Sequence, residues 1–172
     1  MDFRKVSNEN CNIFVGIDQS MLHTGITIQT RDNIIYSGGF SSQKNLFFEE
    51  RIMSIRDFIL SNLSEYNRED VSIAIVCLAF NRSPSNNGAM LFGLFSVILI
   101  SLMENGYSYM VVPPTTLKKF ATGDGRADKD KMLEFTSEEA KESLHRLSQV
   151  NNKKKFEDII DSYWLSRYRM EN

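Results

Sequence analysis

The chain has 172 residues, 42% hydrophobic and 24% charged, which is enough apolar material for one globular domain and too much for a disordered tail or a collagen-like repeat. Its two cysteines, Cys11 and Cys77, stand far apart with no histidine at ligand spacing, so neither a zinc motif nor a disulfide framework is expected, and a reducing cytoplasm is the expected setting. The formal net charge of -2 excludes a global basic field, so any contact with nucleic acid would have to rest on a local patch.

The first residues carry Asp2, Arg4, Lys5 and Glu9 around no apolar stretch and do not read as a secretory signal. Residues 1–11 are expected to be a flexible start to a single domain spanning 1–172. Asn12 to Gln19 (NIFVGIDQ) is an apolar, branched run and predicts a buried central strand. Thr24 to Gln29 and Asn33 to Phe40 predict two further strands joined by a tight turn at Thr30 to Asp32, with Gly38 and Gly39 marking a bulge or strand end; together the three form an antiparallel meander.

Asn45 to Asn62 places Phe47, Ile52, Ile55, Phe58 and Ile59 at helical spacing, and Ser72 to Ala79 (SIAIVCLA) is a continuous apolar strand. Gly88 to Met103 is apolar almost all round, which suits a helix lying against the sheet or in a subunit interface and is short for a bilayer span. Tyr107 to Val112 is another strand, stopped by Pro113 and Pro114. Thr115 to Lys131 reads as a polar loop, Asp130 to Leu147 as a helix, Val150 to Lys155 as a basic turn and Phe156 to Tyr168 as a final helix with aromatic faces. This order predicts an α/β domain, a mixed five-stranded sheet with helices on both faces.

Two acidic features stand out on that frame. Asp18 ends the first strand, where a buried carboxylate is costly unless it meets a metal or a donor. Asp158 and Asp161 lie three apart in the last helix and so share a face. Carboxylates converging from a strand and a distant helix are what a hard cation such as Mg²⁺ requires. The same spacing is equally met by a turn cap at Asp18 and an ordinary solvated face on the helix. His23, near the first strand, could sit by the cleft, although a lone loop histidine is more often merely exposed.

A local basic patch is present as well. Lys118, Lys119, Arg126, Lys129 and Lys131 cluster around Gly123 and Gly125, where backbone amides can approach phosphate, although Asp124, Asp128 and Asp130 offset much of their charge. Thr115 and Thr116 could add hydroxyl contacts. In the loop Phe80 to Asn87 (FNRSPSNN), Phe80 could stack on a base and Arg82 could meet phosphate.

Val15 to Thr27 (VGIDQSMLHTGIT), Ile73 to Phe80 (IAIVCLAF), Pro113 to Lys131 (PPTTLKKFATGDGRADKDK) and Asp158 to Asp161 (DIID) resemble, in order and spacing, the phage-type RuvC-like Holliday junction resolvases. The resemblance runs from about residue 12 to residue 168 and implies an RNase H-like fold, a homodimer, binding of branched four-way DNA, and cleavage with Mg²⁺ or Mn²⁺ held by four carboxylates. By position it makes Asp18, Asp158 and Asp161 metal ligands and catalytic residues. It also places Lys118 and Lys129 near the scissile phosphate, and the Gly88 to Met103 helix in the dimer or against a different protein partner.

The family's fourth-strand glutamate is missing, because Ala74, Ile75, Val76 and Cys77 stand where its pattern reads AIEG. An isopropyl group at Val76 removes an oxygen pair and a charge, so weakened metal pairing is expected. Two functions follow from the resemblance: a metal-dependent, structure-selective endodeoxyribonuclease, or a catalytically inactive relative that binds DNA or assembles with protein. The GIDQS segment is also similar to the first phosphate loop of actin-like ATPases and sugar kinases, which are built from two such lobes and more chain than is present here.

Overall fold

The computed structural model describes residues 11–77 and 86–172. In chain order these form β1 (Ile13–Asp18), β2 (Thr24–Gln29), β3 (Ile34–Phe40), α1 (Phe48–Leu63), a 3₁₀ turn (Arg68–Asp70), β4 (Val71–Val76), α2 (Asn86–Glu104) and β5 (Ser108–Val112), followed by α3 (Pro114–Thr122), α4 (Lys129–Phe135), α5 (Glu138–Ser148) and α6 (Lys153–Glu171). The strands make one mixed sheet in the order β3-β2-β1-β4-β5. The β1–β2 and β2–β3 pairs are antiparallel, the expected meander, and β1–β4 and β4–β5 are parallel.

Successive strand residues point to opposite faces, and here the two faces take different partners. Val15 and Ile17 of β1 and Val71, Ile73 and Ile75 of β4 bury one face under α1 and α2, which contribute Ile55, Ile59, Leu94, Ile98 and Leu102. Ala74 and Val76 face the other layer, where Leu117 of α3, Met132 of α4, Leu144 of α5 and Ile159, Ile160 and Leu165 of α6 pack. Helices therefore cover both faces, as expected.

The seating of α6 fixes the geometry of the second layer. A Cβ at Gly16 would collide with the Ser162 carbonyl and one at Gly25 with the Asp158 carbonyl, so the helix backbone lies directly on β1 and β2. Hydroxyl contacts join the layers: Thr27 Oγ1 lies 2.8 Å from Ser162 Oγ, and Gln29 Nε2 donates to Ser166 Oγ at 2.7 Å. Further along, buried Arg169 donates through Nε to Ser72 Oγ at 2.6 Å. Each of these polar groups would be costly to bury alone, and together they set the register of helix on sheet.

The structure departs from several expectations. Thr115 to Lys131 is not a loop throughout, because its first part is α3, opened by Pro114 in the first turn and closed by left-handed Gly123. The helix expected over 130–147 is two helices, interrupted where Ser137 caps α5 by accepting from the Ala140 amide. Lys153, Lys154 and Lys155 belong to the first turn of α6 behind the Asn152 cap rather than to a turn. The strand expected over 72–79 ends at Val76, and its residues 78 and 79, like Phe80 and Arg82, lie outside the described residues. Cys11, expected to be flexible, is buried, with its thiol 3.7 Å from the Glu69 carbonyl; residues 1–10 lie outside the described residues. No helix among the described residues is long and apolar enough to cross a membrane.

Candidate metal centre

Asp18 is the last residue of β1 and pairs in register with Gly25, the residue over which the Asp158 carbonyl of α6 sits. This contact of helix and strand ends brings the three aspartates together. One carboxylate oxygen from each of Asp18, Asp158 and Asp161 lies within 4.8 Å of the others. Among the described residues this is the one such cluster. The helical spacing of Asp158 and Asp161 is visible in the sequence, but their meeting with Asp18 depends on the tight approach over Gly16 and Gly25.

Two further side chains order the cluster. Lys129, in the first turn of α4, places Nζ 2.7 Å from Asp158 Oδ1 and 3.0 Å from Asp161 Oδ2. His23 places Nδ1 3.1 Å from Asp158 Oδ2. Since an ionised carboxylate only accepts, the imidazole donates from Nδ1. Of the two readings of His23, the cleft position holds and the exposed one does not: it is 6% exposed, and its ring covers Gly39, where a Cβ would collide with it. The sequence offers no signal for this contact, because the residues lie 135 positions apart.

The electrostatics separate the three acids. Burial, reinforced by the Asp161 and Asp158 carboxylates, pushes Asp18 well above the usual carboxylate range despite Lys129. Burial also raises Asp161, against the pull of Lys129. Asp158 is buried too, but the hydrogen bonds from His23 and Lys129 outweigh desolvation and hold its carboxyl low. For Lys129, burial favours the neutral amine, yet the carboxylates of Asp161, Asp18 and Asp158 overcome it and keep the ammonium firmly charged.

The donor set suits a hard divalent cation. It is made of carboxylate oxygens, and Asp161 Oδ1 is buried with no hydrogen-bond partner among the described residues, a lone pair of the kind a cation would satisfy. Val76 lies on the same face as Asp18, one position beyond the registered pair Ile17 and Ile75 on the neighbouring strand. It therefore presents hydrocarbon where a longer acidic side chain could join the cluster. Its carbonyl accepts from Gln19 Nε2 at 2.8 Å, which ties the ends of β1 and β4 together.

The basic residues do not act as one patch. Lys118 is half-buried on α3 and its charge is felt at Asp161, whereas Lys119 and Arg126 are exposed on the rim. Lys131 pairs with Asp124 at 3.4 Å and Lys153 with Asp130 at 2.7 Å, so part of the charge is offset locally. Thr115 is exposed and Thr116 partly so, both in the first turn of α3.

No protein-family model matches the chain. A crossover junction endodeoxyribonuclease RuvC from Treponema denticola is 26% identical over 124 residues, which covers 70% of this chain and 68% of that protein. The chain is a homologue of RuvC. A solved structure of Thermus thermophilus RuvC superposes with a TM-score of 0.64 at 16% identity, covering 91% of this chain and 93% of the other. That RuvC in complex with a Holliday junction substrate superposes at 0.65 and 14% identity, covering 92% and 96%. At these identities the superpositions establish a shared fold, RNase H-like, with the RuvC order of strands and helices over almost the whole chain.

Proposed function

We propose that this RuvC homologue binds branched DNA with four-way geometry as a homodimer and hydrolyses its phosphodiester bonds with a divalent cation. The observation that carries the reading is the convergence of Asp18, Asp158 and Asp161 within 4.8 Å, with Asp161 Oδ1 left without a protein partner. Asp18, Asp158 and Asp161 would hold Mg²⁺ or Mn²⁺, which when bound supplies Lewis-acid activation of water and of the scissile phosphate. Hydrolysis forms one bond from water oxygen to phosphorus and breaks one from phosphorus to a sugar oxygen, which leaves with a proton. His23 and Lys129 keep Asp158 ionised and oriented, and Lys118 brings positive charge toward the developing negative charge on phosphate.

DNA contact is assigned to the exposed rim. Lys119 and Arg126 meet the phosphate backbone, Thr115 and Thr116 add hydroxyls, and Lys131 joins once it exchanges Asp124 for phosphate. Dimerisation is assigned to α2, whose buried side packs on the sheet while Ile100 and Met103 stay 49% and 59% exposed. A stripe of large apolar residues on an otherwise core-packed helix fits a second copy of the chain. The two cytosol-compatible thiols agree with an intracellular site of action.

One observation favours a second reading, in which the chain binds junctions without cutting them: Val76 presents no ligand where the acidic cluster adjoins β4. A labelled four-way junction with Mg²⁺ or Mn²⁺ separates the two. Paired nicks by the natural chain that vanish in Asp18→Asn support the nuclease. Cleavage only by Val76→Glu supports the non-cutting binder. Equal binding of linear duplex and junction by every form removes both.

A further inference from the structure

We propose that the acidic cluster is built for one divalent cation, with the Lys129 ammonium serving as its second positive centre. The inference rests on the metal-dependent reading above and concerns how many ions the pocket takes. The Lys129 Nζ atom lies within hydrogen-bond distance of two of the three aspartates, 2.7 Å from Asp158 and 3.0 Å from Asp161, so its charge bonds the cluster directly although the side chain is half-exposed. Both oxygens of Asp158 are thereby occupied, Oδ1 by Lys129 and Oδ2 by His23. The unclaimed buried oxygen is Asp161 Oδ1, and Asp18 makes no ion pair among the described residues.

Charge and placement agree. When ionised, the three carboxylates set against the Lys129 ammonium leave a net charge of -2, which one dication balances. The nearest position from which a fourth carboxylate could enter, Val76, is apolar. Lys129 also stands in the first turn of α4, where the helix dipole opposes a cation, so the helix gains nothing from a lysine there and the pocket is what holds it. Lys129 is in this account a positioning and charge-balancing residue that acts through Asp158 and Asp161.

Mn²⁺ binding to the full-length, metal-free protein, counted by calorimetry and by the loss of the free-ion paramagnetic signal, tests this without a cleavage assay. One ion per natural chain is expected. Lys129→Met and Lys129→Gln should each still take one ion, about tenfold more tightly because the neighbouring cation is gone, whereas Lys129→Arg should restore the natural affinity. Adding Val76→Glu to Lys129→Met should raise the count to two. Two ions on the natural chain, or unchanged or weaker binding by both folded charge-removing variants, would overturn the inference while leaving the metal site in place. No Mn²⁺ bound by either the natural chain or Lys129→Met would instead overturn the metal reading itself, and the inference with it. If Lys129→Met does not fold, Lys129→Gln and the natural chain's count decide the matter alone.

Discussion

At the residue scale the site shows a conflict between stability and chemistry. Asp18 is the most deeply placed of the three acids, and burial together with Asp161 raises its folded-state pKa above its unfolded value. A group shifted in that direction contributes stability that is present below the unfolded pKa and is lost as pH rises through the folded pKa. The metal-free chain is therefore expected to lose stability as pH climbs past the ordinary carboxylate range. Asp18→Asn removes this liability and should raise metal-free stability near neutral pH by roughly 0.5 to 2 kcal/mol while abolishing metal-dependent cleavage. Thermal melts across pH, with and without the substitution, check the sign, and a variant less stable than the natural chain would contradict it. His23 carries a different expectation. Exchanging it for phenylalanine keeps a ring over Gly39 but deletes the Nδ1–H bond to Asp158, and should weaken Mn²⁺ binding by about 10- to 100-fold, the usual effect of losing a partner that orients a ligand. The melting temperature should move little by comparison.

At the scale of elements, α6 links the fold to the site. One helix buries apolar residues on the sheet, makes hydroxyl contacts to Thr27 and Gln29, and delivers two of the three acids. Its closeness to β1 leaves no room for a methyl group at Gly16, where the clash would be with the Ser162 backbone carbonyl rather than with a side chain able to turn away. Gly16→Ala should therefore cost about 1 to 3 kcal/mol or more, measurable by denaturant unfolding. Because the helix must lift for the extra carbon to fit, cluster geometry should suffer along with stability. α3 makes the complementary point. Lys119 is exposed on it and unneeded by the fold, so Lys119→Ala should leave stability unchanged, weaken binding to all DNA forms alike and lower the salt slope of affinity by about 1. A change in stability or in junction preference would assign that lysine another role.

At the scale of the whole molecule, the question is what covers α2. Leu94, Phe95, Ile98 and Leu102 pack it on the sheet, and Ile100 and Met103 stay exposed on its other side. Ile100→Glu places a charge in that stripe and leaves the packed side untouched. If α2 is the dimer face as proposed, the natural chain should sediment as a dimer and this variant as a monomer, with the melting temperature of the monomeric fold nearly unchanged. If the natural chain sediments as a monomer at all concentrations, the assignment of this face to a second copy fails. In the proposed function a dimer would match a four-way junction, which presents two equivalent strands, with two equivalent acidic sites.

Much of this was legible in the sequence because it is periodic. Branched runs at 13–18, 24–29 and 71–76, buried almost throughout, and the three-to-four spacing of Ile52, Ile55 and Ile59, specify strands and a helix through local geometry alone, and so yield a five-stranded mixed sheet with helices on both faces. The RuvC resemblance was legible for a related reason, since short segments in fixed order carry it. Local signals were weaker where capping decides: Pro114 and Gly123 make a helix of a segment rich in polar residues, and Ser137 divides what periodicity joins. What no local signal carries is the meeting of groups far apart in the chain. His23 and Lys129 reach the two oxygens of Asp158 from 135 and 29 residues away, and Asp18 finds Asp161 only because two glycines let a helix rest on the strand backbone. The sequence alone determined which acids were available. The close packing of α6 on β1 and β2 decided that they form one pocket, and set a lysine among them, because charge interaction depends on distance in space and not on separation along the chain.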